Sequence, residues 1–154
     1  MAQSRDWQWL VDKQKAAEEL EREGQYIEAI RAYSEIVNRD PAWGNGWAFL
    51  ALAELYEKMN QMDLAETCLV NSVEQNIDPP NPNYRSNCAA FLLARGKAAR
   101  ALEFFWQALE AAVAIDMEAT VPDIISGIRK TAEQLPIPKD EVEAKIKQIC
   151  RDTA

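Results

Sequence analysis

Residues 24–41 read GQYIEAIRAYSEIVNRDP. A glycine opens the stretch, and Tyr26, Ile27, Ala29, Ile30, Tyr33, Ile36 and Val37 follow at helical spacing before Asp40-Pro41 ends it. Gly24 suits a tight turn out of a preceding helix, because glycine takes positive φ without steric cost. Pro41 cannot continue a helix, and the residue before a proline is pushed out of the α region. The frame then recurs. Ala29, Ala65 and Ala101 are spaced 36 residues apart. Gly24, Asn60 and Gly96 stand before them, and Tyr33, Leu69 and Phe105 after them, at constant offsets. Self-similarity at such a period predicts a stack of helix pairs.

The flanking sequence divides around this frame. A first helix is expected to run to about Glu23, with Ser4 or Asp6 as its cap. Trp7, Trp9 and Leu10 then cover the open flank of the first repeat, as a terminal repeat requires, or form a self-association surface. The linker PAWGNGW, residues 41–47, holds two glycines for a looser turn and two tryptophans to pin it. The following helix, to Lys58, is apolar on too many sides for one buried stripe, so one side is expected to face a groove or another subunit. DPPNPN at 78–83 excludes a helix there, and the next helix is expected from Tyr84. The run LEFFWQALEAAVAI should be central. In the tail, Thr120-Val121-Pro122-Asp123 has the form of a capped helix start. Ile124, Ile128 and Ala132, then Val142, Ile146 and Ile149, make two more apolar faces.

Composition removes whole classes of function. The 154-residue chain carries a net charge of −8 and a pI near 4.7, which disfavours phosphate backbones, so nucleic acid is not an expected partner. No apolar run reaches membrane-span length, and the N-terminus lacks the pattern of a signal peptide. The sequence contains no histidine, which removes the usual general base and imidazole ligand. No P-loop, GxGxxG or CxxC occurs. Cys68, Cys88 and Cys150 fit no metal spacing, and a reduced, cytoplasmic setting is expected. Cys68 and Cys88 read as small apolar residues on helices. The expectation is no enzyme, no cofactor and no metal.

The repeat frame resembles the tetratricopeptide repeat. Leu52, Ala53 and Tyr56 fall on its first-helix signature in the second repeat, Cys88, Ala89 and Leu92 in the third, and Ala16, Ala17 and Leu20 in the first. Tyr26, Ala29, Tyr33 and Pro41, with Ala101, Phe105 and Ala108, fall on its second helix. The period exceeds the usual ~34 residues, with two residues added near Gly44-Asn45 and Pro80-Asn81. The resemblance implies an all-α, right-handed α-solenoid of three helix pairs with a helical C-terminal cap. One domain spans 1–154: a lead at 1–9, repeats at 10–43, 46–79 and 82–115, and capping helices at 116–154.

The same resemblance implies a concave groove lined by the first helices. Its candidate peptide-binding residues are Gln14, Glu18, Trp47, Leu50, Glu54, Asn83, Ser86, Asn87 and Ala90. Glu21, Glu57 and Lys58 occupy further groove-lining positions. The Lys, Asn and Arg set with which heat-shock co-chaperones clamp a C-terminal carboxylate is missing, so no clamp is expected. The implied function is a non-enzymatic module that binds an extended or helical peptide of another protein, as a chaperone or adaptor. Three repeats, an acidic pI and a helical tail are also similar to the TPR chaperones of type III secretion translocators, which implies that a homodimer is open to it. The alternative is a structural scaffold assembling through apolar outer or terminal surfaces.

Overall fold

Gly24 adopts φ +76°, and the chain reverses there in the way that recurs along the molecule. Helix α1 (Ala2–Arg22) ends as the Gly24 N–H donates to the Glu21 carbonyl at 3.1 Å and the Gln25 N–H to Leu20 at 2.9 Å, and α2 (Tyr26–Arg39) follows. This bond pair is how a left-handed residue satisfies the last carbonyls of a helix. At Asn60 (φ 57°) the equivalent bonds run from the Asn60 N–H to the Glu57 carbonyl at 2.9 Å and from the Gln61 N–H to the Tyr56 carbonyl at 2.8 Å, between α3 (Trp47–Lys58) and α4 (Met62–Gln75). Gly96 repeats them between α5 (Pro82–Ala94) and α6 (Ala98–Ala114). Helices α7 (Val121–Ala132) and α8 (Lys139–Arg151) complete the chain.

This computed structural model describes residues 2–151, with side chains from residue 6 onward. No strand occurs among the described residues, so the all-α class holds. Two compact units divide between Asp78 and Pro79, inside the proline-rich stretch. In the first, α1 packs on α2, α2 on α3 and α3 on α4. In the second, α5 packs on α6, α6 on α7, and α8 rests on α6 and α7. Ala29, Ala65 and Ala101 are all fully buried, as close helix approach demands. Cys68 and Cys88 are buried thiols, and burial pushes Cys68 up to about 11.

Residues 43–46 form a tight turn that is not right-handed helical, with Gly44, Asn45 and Gly46 at φ of 65°, 55° and 92°. The extra residues of the first junction are used to bolt this turn to the end of α4. Asn45 Oδ1 accepts from the Ile77 and Asp78 N–H groups, both at 3.1 Å, and its carbonyl accepts from Asn76 Nδ2 at 2.9 Å. At Gly46 the α4 backbone comes so close that a Cβ would stand 2.4 Å from the Ser72 carbonyl oxygen.

Three expectations need correction. Helix α1 begins at Ala2, so Asp6 is not a cap but lies within the helix and pairs with Arg39 at 3.0 Å. The Ser4 side chain lies outside the described residues. Helix α5 begins at Pro82 and not Tyr84, because Asn81 caps it by accepting from the Asn83 N–H at 2.9 Å. A proline at the first helical position loses only an N–H that has no intrahelical partner. Thr120 does precede α7, but its hydroxyl donates to the Met117 carbonyl at 2.8 Å and forms no capping box.

Trp9 and Leu10 do serve the flank of the first unit. Leu10 is buried, and Trp9 lies beneath the Arg39 guanidinium at 4.5 Å and the Lys13 ammonium at 5.7 Å. Trp7, by contrast, is 57% exposed.

Candidate functional site

Tyr33 sits on the buried face of α2 with no solvent exposure. A buried phenol needs a partner for its hydroxyl, and Tyr33 Oη donates to Glu21 Oε2 of α1 at 3.1 Å. On its other side its ring meets Trp47 of α3 edge-on, with centroids 5.7 Å apart and planes at 74°. Tyr33 therefore bridges the first helices of the first two pairs. Burial raises the Tyr33 pKa most, followed by the charge and hydrogen bond of Glu21 and then the charges of Glu18 and Glu54. Three carboxylates from two helices thus bear on one hydroxyl.

The α3 residues grade from apolar to anionic along one face. Residues three apart on a helix lie on the same side, which aligns Trp47, Leu50, Glu54 and Glu57. Trp47 and Leu50 are only half-buried, while Glu54 and Glu57 are exposed. The Glu54 pKa is raised, first by partial desolvation against the packed helices and then by the Glu21 carboxylate, with Lys58 opposing and Glu57 adding. Lys58 Nζ stands 3.9 Å from Glu21 Oε1 and 5.3 Å from the Tyr26 ring centroid.

The α1 residues Gln14 and Glu18 have work inside the fold. Gln14 Oε1 accepts from the Trp43 indole at 2.7 Å, and Gln14 Nε2 donates to Glu18 Oε1 at 3.1 Å. The structure therefore brings Gln14, Glu18, Trp47, Leu50 and Glu54 onto adjoining parts of α1 and α3 in the first unit. Sequence reasoning named these but missed Tyr33 as the residue tying them together. The available signal was a tyrosine, not a phenylalanine, at a core position of the repeat.

Asn83, Ser86, Asn87 and Ala90 belong to α5 in the second unit. Asn83, Asn87 and Ala90 are exposed along one side, and the half-buried Ser86 hydroxyl donates to the Pro82 carbonyl at 2.9 Å. They form a small, polar helix face. A separate cavity of about 450 Å³ lies between α7 and α8, lined by Ala132, Ile137 and Val142 and edged by the Arg129–Glu143 ion pair. No sequence-predicted site residue lines it. Among the described residues no cluster of Cys, Asp and Glu is arranged to hold a metal ion, and no helix is long and apolar enough to cross a membrane.

Part of the chain matches a known family model. Residues 20–76 match the model of the tetratricopeptide repeat. No curated protein is significantly similar in sequence. Among solved structures, the TPR2B domain of yeast Sti1 in complex with pHsp70 superposes with a TM-score of 0.63 at 17% identity, over 82% of this chain and 98% of that one. The type III secretion translocator chaperone SycD of Yersinia enterocolitica superposes with a TM-score of 0.63 at 20% identity, over 81% of this chain and 84% of that one. SycD in complex with a peptide of the translocator YopD superposes with a TM-score of 0.55 at 17% identity, over 95% and 92% of the two chains. At these identities the likeness is one of fold.

Proposed function

Since this chain carries tetratricopeptide repeats, we propose that it is a non-enzymatic protein-interaction module that binds a peptide segment of a partner protein on the α1/α3 face of its first unit. The three-repeat partition at 10–43, 46–79 and 82–115, with a cap at 116–154, belongs to the same reading. The observation that carries the proposal is the partly exposed Trp47 and Leu50 on the same helix face as Glu54, with carboxylates of α1 nearby. A solvated helix face has no need of a tryptophan and a leucine there. The solved structures of similar fold include a peptide-bound one, which supports a chaperone or adaptor role; a cytoplasmic setting is proposed with it.

Such a face calls for a peptide with an apolar anchor and a nearby positive charge. Apolar burial would supply most of the affinity, at about 25 cal/mol per Å² before ordering costs. The acids would steer association and select among partners, an effect that fades with salt. Trp47→Ala is expected to weaken peptide binding by about 2 kcal/mol, as loss of an aromatic anchor does. Glu54→Lys is expected to slow association at low salt while leaving dissociation nearly unchanged. Titration of a display-selected peptide against both variants tests this, with circular dichroism confirming the fold. If Trp47→Ala binds like the parent, the face is not the site.

The scaffold reading draws on a different observation. Trp7, Ile27, Leu64 and Ile77 stand 57%, 56%, 46% and 73% exposed on the first unit. A homodimer or larger assembly formed through them would show as a mass above that of one chain in solution, lost in the Trp7→Ala or Ile27→Ser variant.

A further inference from the structure

The turns that lead into α2, α4 and α6 share one frame but not one surface. The eight residues around Gly24, 21–28, hold three acids and one base, and those around Asn60, 57–64, hold two acids and one base. The eight around Gly96, 93–100, hold three bases and no acid. The wider charge divides in the same sense: residues 1–78 carry 15 acids and seven bases, and residues 79–154 carry ten of each. Apolar exposure divides with it. Ile27, Met59, Met62 and Leu64 stand 56%, 38%, 39% and 46% exposed at the first two turns. Those two turns adjoin, since Lys58 Nζ lies 5.3 Å from the Tyr26 ring centroid. Ser34 of α2 and Cys68 of α4 both act on the Tyr56 hydroxyl of α3, so α2 and α4 flank α3 there. Ile27 shares a helix face with Ser34, and Leu64 with Cys68, which sets both on that seam. At the third turn the side chains are small. A shallow hollow of about 490 Å³ is floored there by Gly96, Ala98, Ala99 and Leu135 and edged by Lys97 and Arg100.

We propose that the apolar, acidic patch at the first two turns docks on the basic third turn of a second copy of this chain. Ile27, Met62 and Leu64 supply the apolar ridge that the hollow lacks, and the carboxylates beside them meet the cations at its edge. Charge selects this pairing. Glu28, Glu57 and Arg100 are exposed and engaged in no side-chain hydrogen bond or ion pair among the described residues, so they are available across an interface. Pairing of the patch with its own copy would set acid against acid, which complementary surfaces avoid. The methionines suit the contact, since an unbranched thioether adapts to a shallow hollow. The inference rests on the scaffold reading and names its two mating surfaces; Trp47 and Leu50 take no part in it.

Sedimentation equilibrium of the full chain reads the mass. At low salt the parent should exceed one chain, and its association should weaken about tenfold as salt rises from about 0.05 M to about 0.5 M, because exposed charge pairs are screened. Ile27→Ser with Leu64→Ser removes the ridge, and Lys97→Glu with Arg100→Glu reverses the hollow. Each double variant alone should sediment as a single chain. An equimolar mixture should reach the mass of two chains and no more, because each variant keeps the surface the other has lost. If the Lys97→Glu/Arg100→Glu variant still associates alone, the patch pairs with itself or assembly runs through Trp7, which overturns the inference and keeps the scaffold reading. A mixture that stays monomeric while the parent associates overturns it in the same way. A parent that is monomeric at low salt removes the scaffold reading and this inference together. Should a variant fail to fold by circular dichroism, the parent decides alone, and association indifferent to salt overturns the inference.

Discussion

In the unit ending at Asp78, Trp7, Ile27, Met59, Met62, Leu64 and Ile77 all stand exposed, and Trp47 and Leu50 are only half-covered. In the unit beginning at Pro79, no large apolar side chain among the described residues is as exposed as those first six, although Phe91, Leu93, Trp106 and Ile125 are half-buried like Trp47 and Leu50. There Phe104 and Phe105 are buried, and Trp106 lies under the Lys145 ammonium at 4.5 Å. Both units are built from the same turn and the same buried alanines, so the repeat frame does not explain the difference. The second unit leaves none of its described large apolar side chains fully exposed, with α7 and α8 packed on α6, whereas the first exposes six. Exposed apolar surface that no core uses is one mark of an interaction site.

The largest effect expected from breaking this contrast is at Gly46. An alanine there would place Cβ 2.4 Å from the Ser72 carbonyl oxygen in a backbone with φ 92°. Backbone cannot move aside as a side chain can, so a loss of about 3 kcal/mol or more is expected. In the second unit, the Cβ of Gly127→Ala would meet the Phe105 ring at 2.7 Å. That ring can shift, and alanine gains about 1 kcal/mol of helix propensity, so a smaller net loss is expected. Urea unfolding of both variants measures the difference, and equal losses would break the contrast.

Next in size are the buried alanines. Ala29→Leu in the first unit and Ala101→Leu in the second should each overpack and cost about 1–3 kcal/mol. A change within noise at either would place that helix approach elsewhere. Smaller again is the turn residue. Asn60 holds φ 57° where the other two pairs have glycine, so Asn60→Gly should raise stability by about 0.5–1 kcal/mol. A lower melting temperature would show that the Asn60 side chain has a structural role outweighing its backbone strain.

The smallest effect is in pH dependence, where the two units carry opposite signs. The folded-state pKa of Glu54 is raised, so its contribution to stability is present below the ordinary glutamate value and is lost as pH rises through the raised value. The Arg129 guanidinium lowers that of Glu143 by a hydrogen bond. Its contribution is present above the ordinary value and is lost as pH falls through the lowered one. Glu54→Gln should therefore stabilise the protein near neutral pH relative to the parent, while Glu143→Gln should destabilise it. Melting temperatures across the acidic range test both, and shifts of the same sign in the two variants would contradict the assignment.

The turns at Gly24, Asn60 and Gly96 and the buried alanines were legible because they depend on local chemistry repeated at a fixed period. A left-handed turn residue and a small packed residue leave marks in sequence whatever surrounds them. The start of α1 was not legible, because Asp6 looks like a cap until folding brings Arg39 beside it. The Asn81-Pro82 start was readable in principle, since an Asx residue followed by proline suits a helix N-terminus, but the proline density of the stretch masked it. Within the candidate site, the grading of α3 could be read from spacing alone. The convergence of Glu18, Glu21 and Glu54 on Tyr33 could not, as it joins three helices whose approach angles no local pattern records. The commitment of Gln14 to Trp43 was hidden for the same reason.

The most direct test of the α1/α3 face is residue-resolved NMR of the labelled protein titrated with a display-selected peptide. The expected result is that the Trp47 indole and the backbone signals of Leu50, Glu54 and Glu21 shift together and saturate with one affinity, while Trp7, Ile27 and Leu64 stay in place. Shifts confined to Trp7, Ile27 and Leu64, or to the α5 face at Asn83 and Asn87, with Trp47 unmoved, would contradict it.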